Sequence, residues 1–257
     1  MTGNAQPSVA RKAGIKAKIG YAFGAFPDSM AYNLFYVYFL YFITDVVGLP
    51  PIYGGMISLI VILWDAITDP IVGFLSDNCK SKFGRRRPFM IAALVPLMVC
   101  MILIFVAVNF SPVVSFIYYV VMGILYWTAY KVYTIPYYAL GAEITDDFDD
   151  RTNLRGISGI AMYIAMWFVS SGPMVILDRV TAAGGTEKTS WLITGIILGI
   201  IALIGGVICW ALTKGKELVD LRDIGDTSDH RLIHNYVELF KQKAFRRSID
   251  LIEWIVH

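Results

Sequence analysis

Two aspartates inside a long apolar stretch are the residues of this 257-residue chain whose spacing most clearly suggests chemistry. Asp65 and Asp69 are four residues apart, so a helix would place both carboxylates on one face, about 6 Å apart along its axis. Such a pair either takes up a proton or, with Thr68 as a further oxygen ligand, forms a sodium cage. A packing or capping role beside Pro70 is the alternative, but a position near the middle of the stretch favours function.

Two further charges lie in apolar stretches, each among aromatic residues. Asp28 has Tyr32 one helical turn later, and Lys131 lies among the tyrosines of a different stretch. An ammonium without a partner in such surroundings is costly, so Lys131 is expected to pair with Asp65, Asp69 or Asp28. The sequence therefore predicts an internal salt bridge.

Aromatic residues are concentrated in the stretch that carries Lys131, around Pro136. They are Tyr126, Trp127, Tyr130, Tyr133, Tyr137 and Tyr138. Flat rings with hydroxyl groups suit a sugar-like solute, although aromatic belts at membrane interfaces give similar numbers. For any one of these rings, packing and solute contact remain equally open.

The composition is that of a membrane protein. The chain is 57% hydrophobic and 16% charged, too apolar for a soluble enzyme or a disordered chain. Three widely spaced cysteines exclude a disulfide scaffold and a zinc site, and no cofactor or metal is predicted. The net charge is +2 and the basic residues cluster beside apolar stretches, so no nucleic-acid partner is predicted.

Six stretches are long and apolar enough to cross a bilayer, which predicts an all-α membrane protein. These six spans cover residues 19–47, 52–76, 89–108, 113–140, 157–177 and 191–212. Lys and Arg gather on one side, leaving only Arg179 and Lys188 on the other, so both termini are expected in the cytoplasm and the chain in the cell membrane. Three domains are predicted: a cytoplasmic N-terminal segment (residues 1–18), the helical bundle (residues 19–212) and a cytoplasmic C-terminal segment (residues 213–257). The last consists of a polar linker, an amphipathic helix near residues 232–245 and a truncated end.

The loop after the second span carries the most specific motif, Ser-Asp-x-Cys-x-Ser-x-Phe-Gly-Arg-Arg-Arg-Pro-Phe at residues 76–89. It resembles the cytoplasmic signature of the major facilitator superfamily, especially that of sucrose–proton symporters. The segments at residues 64–70, 24–26, 44–49 and 135–137 are similar to the glycoside–pentoside–hexuronide:cation symporters, the melibiose permease group. The resemblance implies twelve helices in two bundles, each made of two inverted three-helix repeats. This chain would then be the N-terminal half, lacking a C-terminal partner half.

The same resemblance implies roles for individual residues. Asp77, Arg85, Arg87 and Glu143 are implied as a cytoplasmic gate in which Arg85 pairs with Asp77. Asp65 and Asp69 match the cation site of that family, with Lys131 where the family has a hydroxyl. Proton coupling, or uncoupled transport, is therefore expected rather than sodium coupling. The family holds its sugar with two carboxylates whose aligned positions here are Ser29 and Thr134. The predicted solute-binding residues are Asp28, Tyr32, Tyr130, Thr134 and Tyr138.

The predicted function is secondary active transport of a sugar-like solute by cation symport, in which Asp65 and Asp69 take up the proton. A structural half-protein that does not transport is one alternative. The other is a membrane-bound prenyltransferase, because Asp65-x-x-x-Asp69 and Asp146-Asp147-x-x-Asp150 have spacings that could hold Mg²⁺-diphosphate. The first motif lies deep in a helix and the second in a loop, which argues against a shared diphosphate site.

Overall fold

A computed structural model describes residues 12–77, 79, 81 and 84–215, and these residues are helical with short connections. The helices are α1 (Ile15–Phe23), α2 (Ala25–Tyr41), α3 (Pro51–Asp77), α4 (Arg87–Leu103), α5 (Pro112–Glu143), α6 (Phe148–Ala182) and α7 (Glu187–Leu212). A π-helical turn, Phe42–Val46, extends α2. The prediction of an all-helical protein is confirmed for the described residues.

The first predicted span is not one continuous helix. It divides at Gly24 into α1 and α2, because Pro27 has no N–H to donate back to the preceding turn and the Gly24 N–H instead bonds to the Tyr21 carbonyl at 3.0 Å. Gly24 is also required by packing, since a Cβ there would lie 2.3 Å from the Tyr137 ring. The break leaves Asp28 in the first turn of α2.

The remaining spans correspond to α3, α4, α5, α6 and α7, with shifted ends. The largest difference between a predicted and an observed helix end is at the start of α6, which lies nine residues before the predicted Ile157. Asp147 caps this helix by accepting the Asp150 N–H at 2.8 Å, and the acidic first turn suits the positive end of the helix dipole. The acidic segment predicted as a loop is therefore partly the start of a helix.

Four helices, α3, α5, α6 and α7, are long and apolar enough to cross a membrane, and α4 is a shorter apolar helix. The first span, divided at Gly24, does not meet the same length criterion. Six crossings and the inverted repeats therefore remain predictions.

The helices pack side by side, and the order of contacts places α5 between α3 and α4. Helix α7 packs on the other side of α4, and α1 and α2 pack against α6 and α7. Glycines allow α4 and α7 to approach closely, since a Cβ on Gly195 would lie 2.9 Å from the Met101 carbonyl oxygen. One end of this bundle, called here the Arg85 end, holds the α3–α4 loop, and the other, the Lys188 end, holds the α6–α7 loop.

Contacts divide the chain into residues 1–218 and 219–257, and every described residue belongs to the first unit. The predicted amphipathic helix and most of the predicted linker lie outside the described residues. The two boundaries between the three predicted domains remain predictions.

Candidate functional site

The ion pair predicted for Lys131 is present, and it involves both aspartates of α3. Lys131 Nζ lies 3.0 Å from Asp65 Oδ1 and 2.8 Å from Asp69 Oδ1. We call these three residues the α3–α5 triad. Its side chains become more accessible from Lys131, 15% exposed, through Asp65, 25%, to Asp69, 46%. A single ammonium thus bridges two carboxylates one helical turn apart.

Hydrogen bonds next to the triad fix the register of the two helices. The Trp64 indole N–H of α3 donates to Thr128 Oγ1 of α5 at 2.9 Å, close to Asp65 and Lys131 in sequence. Thr68, the predicted further oxygen ligand, is buried and donates its hydroxyl to the Trp64 carbonyl of its own helix at 3.0 Å. The structure therefore gives Thr68 an intrahelical bond rather than a contact with the triad.

Asp28 lies in a different environment, because its hydrogen-bond partners are tyrosines. Tyr130 donates to Asp28 Oδ1 at 2.8 Å and Tyr138 donates to Asp28 Oδ2 at 2.6 Å. Asp28 is only 4% exposed, and within the described part of the chain no lysine or arginine forms a salt bridge with it. Direct contact with a solute would require one tyrosine to leave.

Tyr130 and Tyr138 belong to a larger set of α5 tyrosines that connect this helix to α1 and α2. Tyr126 donates to the Ala31 carbonyl, Tyr133 to the Gly24 carbonyl and Tyr137 to the Tyr21 carbonyl, at 2.5, 3.0 and 3.0 Å. Sequence reasoning missed this tyrosine ladder, although the spacing of residues 126, 130, 133 and 137 follows one face of a helix. The ladder anchors both sides of the break at Gly24.

Aromatic rings on the exposed side of α2 and on α5 form a group that we call the aromatic cluster. Tyr32 and Tyr36 are about half exposed and their ring centroids are 4.5 Å apart. Buried Trp127 packs edge-on against both rings, at 6.2 and 5.5 Å, and lies 5.1 Å from Tyr130. The remaining predicted solute residues lie on the same face of α5: Thr134 is buried between Tyr130 and half-exposed Tyr138.

The charged cluster at the Arg85 end differs from the predicted gate, because other arginines pair with its acids than those predicted. Arg85 pairs with Glu143 at 2.8 Å, whereas Asp77 pairs with Arg86 at 2.9 Å. Arg86 also reaches Glu143 at 3.0 Å. The predicted pairing of Arg85 with Asp77 is therefore corrected, and Arg86, which was left out, is the central cation.

Arg87, also predicted as a gate residue, faces α7. Its guanidinium lies 4.7 Å from the centre of the Trp210 ring and donates to the Trp210 carbonyl. The turn before α4 explains the difference: Gly84 has φ +98°, and α4 begins at Arg87 with Pro88 in its first turn. Arg85 and Arg86 thus reach Glu143 of α5, whereas Arg87 faces α7.

A separate ion pair joins α1 to the first turn of α6, before the apolar part of α6 begins. Lys18 pairs with Asp150, which also accepts the Ala13 N–H at 2.6 Å. The Lys18 ammonium, by its hydrogen bond to the carboxyl, lowers the pKa of Asp150 below its ordinary value. Sequence reasoning missed this contact, since it considered Asp150 only within the acidic motif at residues 146–150.

Comparison with known proteins gives one consistent result. Residues 20–250 match the family described as MFS/sugar transport protein. The uncharacterised symporter YjmB of Bacillus subtilis is 34% identical over 81% of this chain and 45% of its own length. The uncharacterised symporter YnaJ of the same organism is 28% identical over 94% of this chain and 50% of its own length. The isoprimeverose transporter of Lactiplantibacillus pentosus is 24% identical over 77% of this chain and 42% of its own length. The chain spans about half the length of these relatives.

Proposed function

Because the chain belongs to the MFS/sugar transport protein family, we propose that it forms one helical half of a symporter that moves a sugar-like solute together with a cation. Family membership identifies it as a multi-pass membrane transport protein and not as an enzyme, which removes the prenyltransferase alternative. The observation that carries the proposal is that α5 bears both Lys131 of the triad and, next to it, Tyr130, which contacts Asp28 and the aromatic cluster. Cation and solute sites that share one helix, α5, can influence each other directly.

The half-transporter part of the proposal follows from length and helix count. The relatives are about twice as long, which suits a second bundle of similar size. Alternating access in such folds needs two bundles that rock around a central site. We place this chain as the N-terminal half, in the cell membrane, with six crossings and both termini in the cytoplasm; the excess of Lys and Arg at the Arg85 end supports that orientation.

The cation proposed for coupling is a proton rather than sodium. Lys131 Nζ lies within 3.0 Å of both carboxylates that would otherwise hold a metal ion. An ammonium at this position supplies the positive charge that Na⁺ would bring, so the predicted cation-coupling residues Asp65, Asp69 and Lys131 have no need of a metal ion. Thr68 stabilises the turn of α3 that carries Asp65, through its hydrogen bond to the Trp64 carbonyl.

The solute is proposed to bind at the aromatic cluster. A sugar presents C–H faces that pack on rings and hydroxyls that need hydrogen-bond partners. Tyr32 supplies an exposed ring, half-exposed Tyr138 a hydroxyl that is bonded to Asp28, and Asp28, Tyr130 and Thr134 a buried polar layer. The name of the isoprimeverose transporter supports a sugar as the solute class.

The cluster of Asp77, Arg85, Arg86 and Glu143 is proposed as a latch on the cytoplasmic side. Its two arginines, Arg85 and Arg86, lie just before α4, whereas both acids end long helices, so a shift of the arginines can break the contacts without deforming a helix. Arg87 holds the start of α4 on α7 and limits that movement.

Binding to the purified chain in nanodiscs tests the solute proposal. Isoprimeverose, melibiose and sucrose are added while tryptophan fluorescence is followed, at acidic and neutral pH and with sodium or choline as the salt cation. We expect a saturable change, stronger at acidic pH and insensitive to sodium, that Trp127→Phe removes. Tyr32→Ala should weaken binding about tenfold, about 1.4 kcal/mol.

Tyr163→Ala is the matched control, since Tyr163 is an exposed tyrosine of α6 that does not belong to the aromatic cluster. A response that is equally weakened by Tyr163→Ala would contradict the site. If none of the three sugars gives a saturable change, the structural half-protein alternative is favoured. Uphill uptake by liposomes that contain this chain alone would contradict the half-transporter proposal.

A further inference from the structure

Four charged residues lie along the neighbouring faces of α2, α3 and α5, and their charges do not cancel. Three are acids and one is basic: Asp28, Asp65, Asp69 and Lys131. With all four ionised, the group would carry a net charge of −2 inside a membrane bundle. Each uncompensated charge at that depth costs several kcal/mol, so a proton is needed in this network.

The three acids differ in how their charge is compensated. Asp65 and Asp69 each contact the Lys131 ammonium, and both are partly exposed. Asp28 is the most buried of the three, at 4% exposed; Tyr130 and Tyr138 donate to its two carboxyl oxygens, and the Thr134 hydroxyl also lies beside it. Burial without a cation disfavours its carboxylate form more than that of the other two acids.

The surroundings of Asp28 nevertheless accept both of its protonation states. The carboxylate receives two O–H donors and lies in the first turn of α2, where the helix dipole favours negative charge. The protonated acid can donate its own hydrogen to Tyr130 or Tyr138, whose hydroxyl oxygen then accepts. A group that is stable in both forms is suited to carry a proton.

Titratable groups from three elements face Asp28 or its tyrosine partners. They are Tyr21 of α1, Tyr130, Lys131, Tyr133, Tyr137 and Tyr138 of α5, and Arg155 of α6, whose guanidinium lies 5.8 Å from the centre of the Tyr138 ring. Lys131 is held by the α3 carboxylates, and Arg155 contacts Asp28 only through Tyr138. Neither basic residue therefore replaces the missing ion pair.

We propose that Asp28 carries the coupling proton and that the α3–α5 triad stays ion-paired, so the proton is not on Asp65 or Asp69. This inference rests on the proposed symport. The step is a plain proton transfer: a proton from water binds an oxygen of the Asp28 carboxylate, and one Tyr–Asp hydrogen bond reverses direction. No tyrosine loses its proton.

Tyr138 links this proton to the solute. It is the accessible member of the pair that holds Asp28, and a solute hydroxyl that engages the Tyr138 hydroxyl withdraws a donor from the carboxylate. Loss of that donor favours protonation of Asp28, so solute and proton increase each other's affinity. Symport follows, because the bundle is loaded with both ligands or with neither.

Infrared spectroscopy of the chain in nanodiscs tests the proton site without any solute. A pH titration follows the C=O stretching band of protonated carboxyl groups, in the unmodified chain and in Asp28→Asn, Asp65→Asn, Asp69→Asn and the exposed control Asp178→Asn. We expect a band that persists at neutral pH, is lost in Asp28→Asn and is kept in the other three. A band that survives in Asp28→Asn overturns the proposal.

Tyrosine variants give a second measurement in case Asp28→Asn does not fold. Tyr138→Phe removes a donor from the carboxylate, so the band should persist to higher pH. Tyr133→Phe removes a buried hydroxyl of the same helix that donates to the Gly24 carbonyl, and it should leave the titration unchanged. Identical titrations of the two variants overturn the proposal. Since no sugar is needed, this failure is distinct from a failure to bind isoprimeverose, melibiose or sucrose.

Discussion

Two charged clusters tie α3 to α5, and they are built with opposite charge arrangements. In the α3–α5 triad, one cation from α5 lies between two acids of α3. At the Arg85 end, one acid of α5, Glu143, lies between two arginines, one of which also reaches Asp77 of α3. The triad has surplus negative charge, whereas the end cluster is balanced.

The clusters also differ in what holds their side chains. Triad residues all come from long helices whose register is fixed, so its contacts persist unless the helices separate. The arginines of the end cluster come from a loop, and Asp77 is 54% exposed, so water can replace its contacts at small cost. The difference suggests a fixed element in the middle of the bundle and a releasable one at its end.

The largest effect is expected from Lys131→Met, which leaves two carboxylates without a cation. Lys131 and Asp65 are mostly shielded from solvent although Asp69 is not, so removal of the shared ammonium should lower the free energy of unfolding by about 3 kcal/mol, the low end of the range for buried pairs. Denaturant unfolding in detergent measures the change. Lys188→Met, which removes an exposed lysine bonded to Asn109, serves as control. Equal losses for the two variants would mean that the triad is not a fixed element.

A smaller loss is expected from Glu143→Gln, at about 2 kcal/mol, because two arginines lose their shared acid. Asp77→Asn should cost less than about 1 kcal/mol, since Asp77 is more than half exposed. The same unfolding measurement ranks the two variants. If Asp77→Asn costs more than Glu143→Gln, then Asp77 rather than Glu143 is the centre of the end cluster.

Sodium should stabilise the Lys131→Thr variant but not the unmodified chain. Lys131→Thr removes the internal ammonium and leaves two carboxylates with a hydroxyl, which suit Na⁺. At ten times its dissociation constant, Na⁺ would then stabilise the variant by about 1.4 kcal/mol relative to choline, and thermal unfolding would detect it. Stabilisation by Na⁺ of the unmodified chain but not of the variant would contradict the role given to Lys131.

An effect smaller than that of sodium is expected from Lys18→Met, which removes the cation paired with Asp150. Because Lys18 lowers the pKa of Asp150, the pair stabilises the folded chain above the ordinary pKa of an aspartate, near 4, and this stabilisation is lost as pH falls through the lowered value. The variant should be less stable by about 1 kcal/mol at neutral pH, and the difference should shrink on acidification. A difference that grows toward low pH would contradict the pairing.

The sequence by itself determined much of the fold and part of the site, because helical periodicity is a local property. Long apolar stretches predicted α3, α5, α6 and α7, and a spacing of four residues placed Asp65 and Asp69 on one face. The cost of an unpaired ammonium predicted that Lys131 would have an acidic partner. Each of these inferences needs only the chain's own helix geometry and the energetics of burial.

Tertiary structure alone decided the pairings that depend on how helices rotate and where a loop turns. Three consecutive arginines look alike in sequence, yet the turn at Gly84 and the start of α4 send Arg86 to Asp77 and Arg87 to Trp210. Likewise, Asp28 was predicted to contact solute, but the register of α5 against α2 covers it with two tyrosine hydroxyls. Periodicity fixes which residues share a face, whereas packing between helices fixes what that face meets.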